Sequence, residues 1–196
     1  MMEKIYDKQF QKAIFLDRDG TINIEKHYLY KIEEFEFAPG AIEGLQILQK
    51  AGYMLVVITN QSGIGRGYYS EGDFKRLNAW MLDELKNYGI NIAKVYYCPH
   101  LPDAQIEKYQ IECQCRKPEL GMFYRACNEL YIDIDHSYAI GDMLRDCAIA
   151  KSTNCKGILI SDRENKDVIN DIKKGKYKNI FYAKNLLEAA QFIVKE

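Results

Sequence analysis

Residues 13–23 read AIFLDRDGTIN, an apolar run that ends in two aspartates one residue apart and is followed at once by Gly-Thr. Four apolar residues closed by a turn signal are what a strand buried on both faces of a parallel sheet requires. Burying AIFL (13–16) in that way carries Asp17 and Asp19 to the edge of the core, where an uncompensated carboxylate is costly. That placement is expected to serve a ligand. The texture recurs in MLVVI (54–58), KVYY (94–97), SYAI (137–140), GILI (157–160) and NIFY (179–182), all near-continuous rather than alternating. Helical patterns lie between them. Pro39-Gly40 precedes Ile42, Leu45 and Leu48, with Gly52 closing; Ser70-Glu71-Gly72-Asp73 reads as a capping box ahead of Phe74, Leu77, Met81 and Leu85, with Gly89 closing. Phe123, Ala126 and Leu130 form another apolar face, and Leu186, Ala190 and Ile193 the last. Strand and helix alternate throughout, so the expected fold is a doubly wound, Rossmann-like α/β domain whose parallel sheet is covered on both faces.

Sheets of this kind bind ligands outside the carboxyl ends of their strands. Asp17 and Asp19 follow the first strand, Thr59-Asn60-Gln61-Ser62-Gly63 the second, Cys98 and His100 the third, and Gly141-Asp142 the fourth. Two segments break the alternation, 20–39 and 98–118, and loops of that length usually serve function, so both are read as insertions that build a site. The charged stretch 161–179 reads as a solvated helix and turn.

At 196 residues the chain suits one well-cored domain spanning 1–196. Lys and Arg total 27 against 28 Asp and Glu, a net charge of −1 that gives no overall pull toward nucleic acid or an anionic membrane. Neither a signal-peptide core nor a membrane-spanning run is evident, so a soluble, cytoplasmic protein is expected, and a monomer. In that setting the six cysteines read as thiols or metal ligands rather than disulfides.

Asp-x-Asp alone is a common turn. Asp142 and Asp146 add carboxylates at another strand end, a set suited to a hard cation such as Mg²⁺, which would also neutralise a phosphate. For phosphate the chain offers the Thr59 hydroxyl, backbone N–H groups of Asn60, Gln61, Ser62 and Gly63, and the charge of Lys117. SGIGRG (62–67) has the spacing G-x-G-x-G rather than G-x-G-x-x-G and follows a polar TNQS, which argues against a dinucleotide fingerprint. Cys98-Pro99-His100 and Cys113-Gln114-Cys115 supply three thiolates and an imidazole, a set that binds tetrahedral zinc in a closed, structural site. Arg116-Lys117-Pro118 follows directly, so zinc would order the loop and aim Lys117. Cys127, Cys147 and Cys155 read as buried thiols.

FLDRDGT, ITNQSG, RKP and GDMLRD, in that order, resemble the four motifs of the haloacid dehalogenase (HAD) superfamily phosphatases, over residues 13 to 160 or so. DRDGTIN, TNQSGIGRG, YYCPHLP and CQCRKPELGM resemble one branch, the D-glycero-D-manno-heptose-1,7-bisphosphate 7-phosphatases and their histidinol-phosphate phosphatase relatives. The resemblance implies that Asp17 is a nucleophile forming an aspartyl-phosphate and that Asp19 is the general acid and base. It implies Mg²⁺ held by Asp17, the backbone carbonyl of Asp19 and Asp142, with Thr59 and Lys117 on the phosphoryl group and Asp146 orienting a metal water or Lys117. It points to zinc at the cysteine loop, and it places Glu25, Lys26, His27, Tyr28 and Arg116 at the substrate, with Lys26 and Arg116 available to a second phosphate. No segment is large enough for a separate cap, so the site is expected to be open, covered by the 20–39 flap and the 98–118 zinc loop. One position departs from the branch, Met143, where a lysine is often found; anomer and substrate stay open on that account. A small sugar bisphosphate is the favoured substrate. The alternatives are histidinol phosphate, with Glu25 near its amine, and a catalytically idle phosphate-binding protein; a DNA-end phosphatase is disfavoured by the lack of a basic stripe.

Overall fold

A computed structural model describes residues 10–160 and 166–196. The apolar runs become six strands of one sheet: β1 (Gln11–Leu16), β2 (Met54–Asn60), β3 (Ile92–Cys98), β4 (Ile132–Gly141), β5 (Lys156–Leu159) and β6 (Ile180–Tyr182). Every pairing between them is parallel, in the order β3-β2-β1-β4-β5-β6. The chain runs outward from β1 to β3, then returns to the other side of β1 as β4. Strand order therefore reverses between β1 and β4, the crevice where doubly wound sheets bind ligands.

The helices are α1 (Ala41–Lys50), α2 (Ser62–Gly65), α3 (Glu71–Asn87), α4 (Gly121–Leu130), α5 (Lys166–Lys173) and α6 (Leu186–Ile193), with a 3-10 segment at Leu144–Lys151. Alternation along β1 and β2 separates two cores. Ile14, Leu16, Leu55 and Val57 face α1, α3 and α6 through residues such as Leu45, Leu77 and Leu186. Ala13, Phe15, Val56 and Ile58 face the opposite way, against Met122, Phe123 and Ala126 of α4, where the Phe15 and Phe123 rings meet edge-on at 5.3 Å. Each such side chain contributes about 1.5–3 kcal/mol when fully buried. The expected capping box opens α3: Ser70 Oγ accepts from Asp73 N–H, and the Asp73 carboxylate accepts from Ser70 N–H at 2.8 Å.

The insertions take shape against this frame. The 20–39 flap is mostly irregular, with a 3-10 turn at Ile32–Glu34, and its underside, Ile22, Leu29 and Phe35, is buried in the α1/α3/α6 core. Residues 98–118 carry a 3-10 turn at Glu107–Tyr109, and Leu101, Ala104 and Tyr109 pack on Ile64, Tyr69 and Phe74 in a small separate cluster. Of the charged stretch 161–179, residues 161–165 lie outside the described residues. α5 is amphipathic rather than simply solvated, since Ile169 and Ile172 are buried. Among the described residues no helix is long and apolar enough to cross a membrane.

Candidate active site

Asp17 is the first residue beyond β1, and its N–H donates to the carbonyl of Ile140 in β4 at 2.9 Å, which pins it at the switch point. Lys117 Nζ lies 2.8 Å from Asp17 Oδ1 and 2.7 Å from Asp146 Oδ1, and donates to the Ile58 carbonyl at 2.6 Å. The lysine main chain is clamped by Asn60, whose Nδ2 donates to the Lys117 carbonyl at 2.9 Å while its Oδ1 accepts from Lys117 N–H at 3.0 Å. Asp146 Oδ2 accepts from Met143 N–H at 2.9 Å. Two glycines let the acids approach. Gly20 has φ +82°, and a Cβ there would lie 2.3 Å from Asp142 Oδ2; a Cβ on Gly141 would lie 2.2 Å from Asp146 Cβ. Asp17, Asp142 and Asp146 are all buried, with ligand oxygens within 4.8 Å of one another. Mg²⁺ binds oxygen at about 2.0–2.1 Å, so opposite ligands stand about 4.2 Å apart, and the cluster fits such an ion. Three carboxylates here face one ammonium. Burial pushes the Asp17 carboxyl up to about 7, Lys117 offsetting this only in part because it is shared with Asp146. Burial works against the charge on Lys117, but Asp146 and Asp17 outweigh it and hold its pKa above the usual lysine value.

The Asp19 carboxylate is held by neighbours. Arg18 Nη2 approaches Asp19 Oδ1 at 2.9 Å, Asn23 Nδ2 donates to Oδ1 at 3.0 Å, and Gln61 Nε2 donates to Oδ2 at 2.9 Å. The same Gln61 nitrogen donates to Thr59 Oγ1 at 2.9 Å, and Tyr69 O–H donates to Gln61 Oε1 at 2.6 Å. Asp17, Asp19 and Lys117 open on a cavity of about 300 Å³. Its rim carries Glu25, His27 and Tyr28 from the flap, and the guanidinium groups of Arg66, Arg116 and Arg145. His27 and Tyr28 sit at φ 51° and 63°, adjacent left-handed positions that non-glycine residues adopt at a cost of about 1–3 kcal/mol each. Burial holds Arg116 below its ordinary pKa; Arg145 and Arg66 push the same way, while the Cys98 thiol opposes them.

Cys98, His100, Cys113 and Cys115 form the second cluster. Cys98 Sγ lies 3.5 Å from Cys113 Sγ and 3.1 Å from Cys115 Sγ; Cys113 and Cys115 are 3.2 Å apart, and His100 Nδ1 is 3.3 Å from Cys115 Sγ. A zinc–sulfur bond of about 2.3 Å sets tetrahedral S···S edges near 3.8 Å, close to these spacings, and none of the thiols is in a disulfide. The four donors suit zinc. Burial pushes the Cys98 thiol well up, a penalty that a bound cation would reverse by holding the thiolate. The cluster reaches the cavity through Arg116, whose Nη1 donates to the His100 carbonyl at 3.4 Å.

The family model described as HAD-hydrolase-like matches residues 114–189. D-glycero-beta-D-manno-heptose-1,7-bisphosphate 7-phosphatase of Haemophilus ducreyi is 49% identical over 149 residues, 74% of this chain and 80% of that one. The protein of the same name from Pasteurella multocida is 44% identical over 164 residues, 84% and 88% of the two chains. This chain belongs to the HAD-type heptose-bisphosphate phosphatase family. In fold it matches the crystal structure of D,D-heptose 1,7-bisphosphate phosphatase from B. bronchiseptica complexed with magnesium and phosphate, with a TM-score of 0.77 and 27% identity over 94% of this chain and 98% of that one.

The structure brings Asp17, Asp19, Asn60, Gln61, Ser62, Lys117 and Arg116 to one cavity, together with Glu25, His27 and Tyr28. Thr59 is buried behind, hydrogen-bonded to Gln61, and Asp142 lies in the carboxylate cluster. Lys26 does not line this cavity; it is ion-paired with Glu36 across the flap. Asp146 is not on an α-helical face with Asp142, since Asp142 precedes the 3-10 segment and Asp146 lies within it. The clustered carboxylates include Asp146 rather than Asp19, whose side chain is committed to Arg18, Asn23 and Gln61. Sequence reasoning missed Arg66, Tyr69 and Arg145. Arg66 had a signal, its place directly after the glycine turn, and Arg145 stands two residues beyond the anomalous Met143.

Proposed function

We propose that this chain hydrolyses the 7-phosphate of D-glycero-D-manno-heptose 1,7-bisphosphate, with Asp17 as nucleophile. The convergence of Asp17, Asp19 and Lys117 on one cavity carries the reading. Asp17 would attack phosphorus and take the phosphoryl group as an aspartyl-phosphate while the sugar oxygen leaves. Asp19 would protonate that oxygen, then take a proton from the water that splits the aspartyl-phosphate and releases inorganic phosphate. Lys117 and Thr59 would hold the phosphoryl oxygens; Gln61 donates to Thr59 Oγ1, which leaves the Thr59 proton for that use. Asp17, Asp142 and the backbone carbonyl of Asp19 would hold Mg²⁺, with Asp146 steering Lys117. When bound, the ion supplies positive charge against the carboxylates and the phosphate. Magnesium and phosphate in the B. bronchiseptica structure support that assignment. Cys98, His100, Cys113 and Cys115 would hold a structural Zn²⁺ that fixes Arg116 and Lys117.

Arg66, Arg116 and Arg145 at the rim favour a substrate with a second anionic group, as a bisphosphate has. The same three cations disfavour histidinol phosphate, whose amine is positive. The names of the Haemophilus and Pasteurella relatives support the β anomer and the 7-position. A small phosphorylated metabolite, met in the cytoplasm during synthesis of nucleotide-activated heptose for lipopolysaccharide or capsule, is the reading that follows. The test is Mg²⁺-dependent phosphate release from both anomers of the heptose bisphosphate, with histidinol phosphate alongside and Asp17→Asn as blank. Selective loss of the 7-phosphate from the β anomer is expected. Faster turnover of histidinol phosphate would overturn the substrate assignment and leave the mechanism standing.

A further inference from the structure

We infer that Tyr69 is a positioning residue for Asp19, acting through the side-chain amide of Gln61; the inference rests on the general-acid reading of Asp19 given above. A glutamine amide has two orientations, related by a half-turn, that exchange its donor and acceptor ends. In this structure both N–H groups of Gln61 Nε2 are in use, one to Asp19 Oδ2 and one to Thr59 Oγ1, each at 2.9 Å. The opposite end, Oε1, accepts the phenolic proton of Tyr69 at 2.6 Å. A half-turn would set the amide oxygen against the Asp19 carboxylate, oxygen facing oxygen, and exchange the bond from the Tyr69 hydroxyl for an N–H donated to the phenol oxygen. The carboxylate, which only accepts, fixes the donor end of the amide, and the phenol, donating to Oε1, anchors the amide in that orientation beneath Asp19.

Tyr69 is itself fixed from two directions. Its ring stacks on Tyr30 of the flap, 5.4 Å between centroids and 15° apart. On the other side it fills the space left by Gly63, where a Cβ would lie 2.2 Å from Tyr69 Cε1. The residue is 7% exposed and lies outside the catalytic motifs. Burial raises its hydroxyl far above the ordinary tyrosine pKa, so it remains a donor across the working pH range.

A general acid matters most when the leaving group is poor. A sugar alkoxide needs a proton as it departs; p-nitrophenolate does not. Loss of the Tyr69 hydroxyl should thus slow departure of alkyl leaving groups and spare aryl ones, while the later water step that Asp19 serves is common to both; general loosening of the site would not discriminate. The experiment uses the full chain with Mg²⁺ and compares Tyr69→Phe, Gln61→Met and Asp19→Asn with the parent. Substrates are p-nitrophenyl phosphate and whichever primary-alkyl phosphate the parent hydrolyses fastest, so the outcome does not depend on the heptose assignment. For Tyr69→Phe the expected result is a kcat/KM, which reports the reaction only up to release of the leaving group, about tenfold lower on the alkyl ester and less than about twofold lower on the aryl ester. Gln61→Met should show the same selectivity. Equal losses on the two esters, or no loss on either, while Asp19→Asn remains alkyl-selective, would overturn the role given to Tyr69. Absence of selectivity in Asp19→Asn itself would remove the general-acid reading, and this inference with it.

Discussion

The flap of residues 20–39 is fastened from beneath: Ile22, Leu29 and Phe35 are buried in the main core, Phe35 lies edge-on to Trp80 at 5.1 Å, and the buried Arg18 donates to the Leu29 carbonyl at 3.1 Å. The loop of residues 98–118, which lends Arg116 and Lys117 to the same cavity, packs Leu101, Ala104 and Tyr109 in a small apolar cluster and gathers around Cys98, His100, Cys113 and Cys115. One roof segment is ordered by the hydrophobic effect as the core forms. The other would owe its order to ligation, and it is the one that carries Arg116 and Lys117. Trp80, the only tryptophan, stands on α3 against Phe35 and the main core, and so reports on the flap and the packing beneath it.

The largest effect expected lies below both insertions. Asp17→Asn should lower kcat on the order of 10³-fold or more, with the circular dichroism spectrum and Trp80 emission unchanged. Turnover within tenfold of the parent would mean that the sheet edge is not where the chemistry sits. Next comes the metal-ordered roof: Cys113→Ser, or exhaustive chelation of zinc, should cost about 10- to 100-fold in activity while Trp80 emission stays put. A zinc-free sample of full activity, checked by elemental analysis, would break the comparison at that point. For the flap, Ile22→Ala should destabilise the protein by about 2–4 kcal/mol in urea titration and shift Trp80 emission, with zinc stoichiometry unaltered. If zinc is lost as well, the two segments are less independent than their packing indicates.

The smallest effect is a pH dependence that neither insertion controls. Burial raises Asp17 from an ordinary 3.8 to about 7 in the protein without cation, so the fold favours the protonated carboxyl. That stabilisation is complete below about pH 4 and is lost as pH rises through about 7. Without divalent cation, the melting temperature should fall by a few degrees between pH 5 and 8. Asp17→Asn should flatten this trend, and Mg²⁺ should restore the parent at pH 8. A trend that persists unchanged in Asp17→Asn would assign it to another group.

What the sequence disclosed was the part dictated by burial. Apolar runs ending in polar residues located β1 to β6, and with them the strand ends that carry Asp17, Thr59 and Asp142. β4 is longer than its apolar run because Ile132 and Asp133 pair with Gln11 and Lys12 of β1 ahead of a register shift, and the residues that follow, Ile134 to His136, are half-exposed or exposed and break the apolar pattern. α2 has four residues, too few to show a helical period. His136, just ahead of the apolar run SYAI (137–140), lies within β4 and is exposed. The misplacements in the site share a cause: the direction of a loop side chain depends on partners 10 to 57 residues away. Glu36 takes Lys26 out of the cavity, and Asn60, expected at the phosphate through its backbone, uses its side chain on the Lys117 main chain. Nothing in the neighbourhood of Tyr69 announced its bond to Gln61, because the signal lies in the shape of the Gly63 turn rather than in composition.

The Asp17–Lys117 pair has a consequence for how the protein is made. The two residues stand 100 positions apart, and the lysine is seated by Asn60 of an earlier strand. A ribosome that has finished β1, β2 and β3 has already produced the candidate nucleophile and the seat for the lysine, but neither the lysine nor Asp142 and Asp146. At that point β1 lacks its β4 neighbour, and Asp17 lacks the ammonium that faces it in the finished protein. Reactivity toward phosphate esters arrives late, in a single stretch of synthesis, when most of the sheet that must support it is already in place.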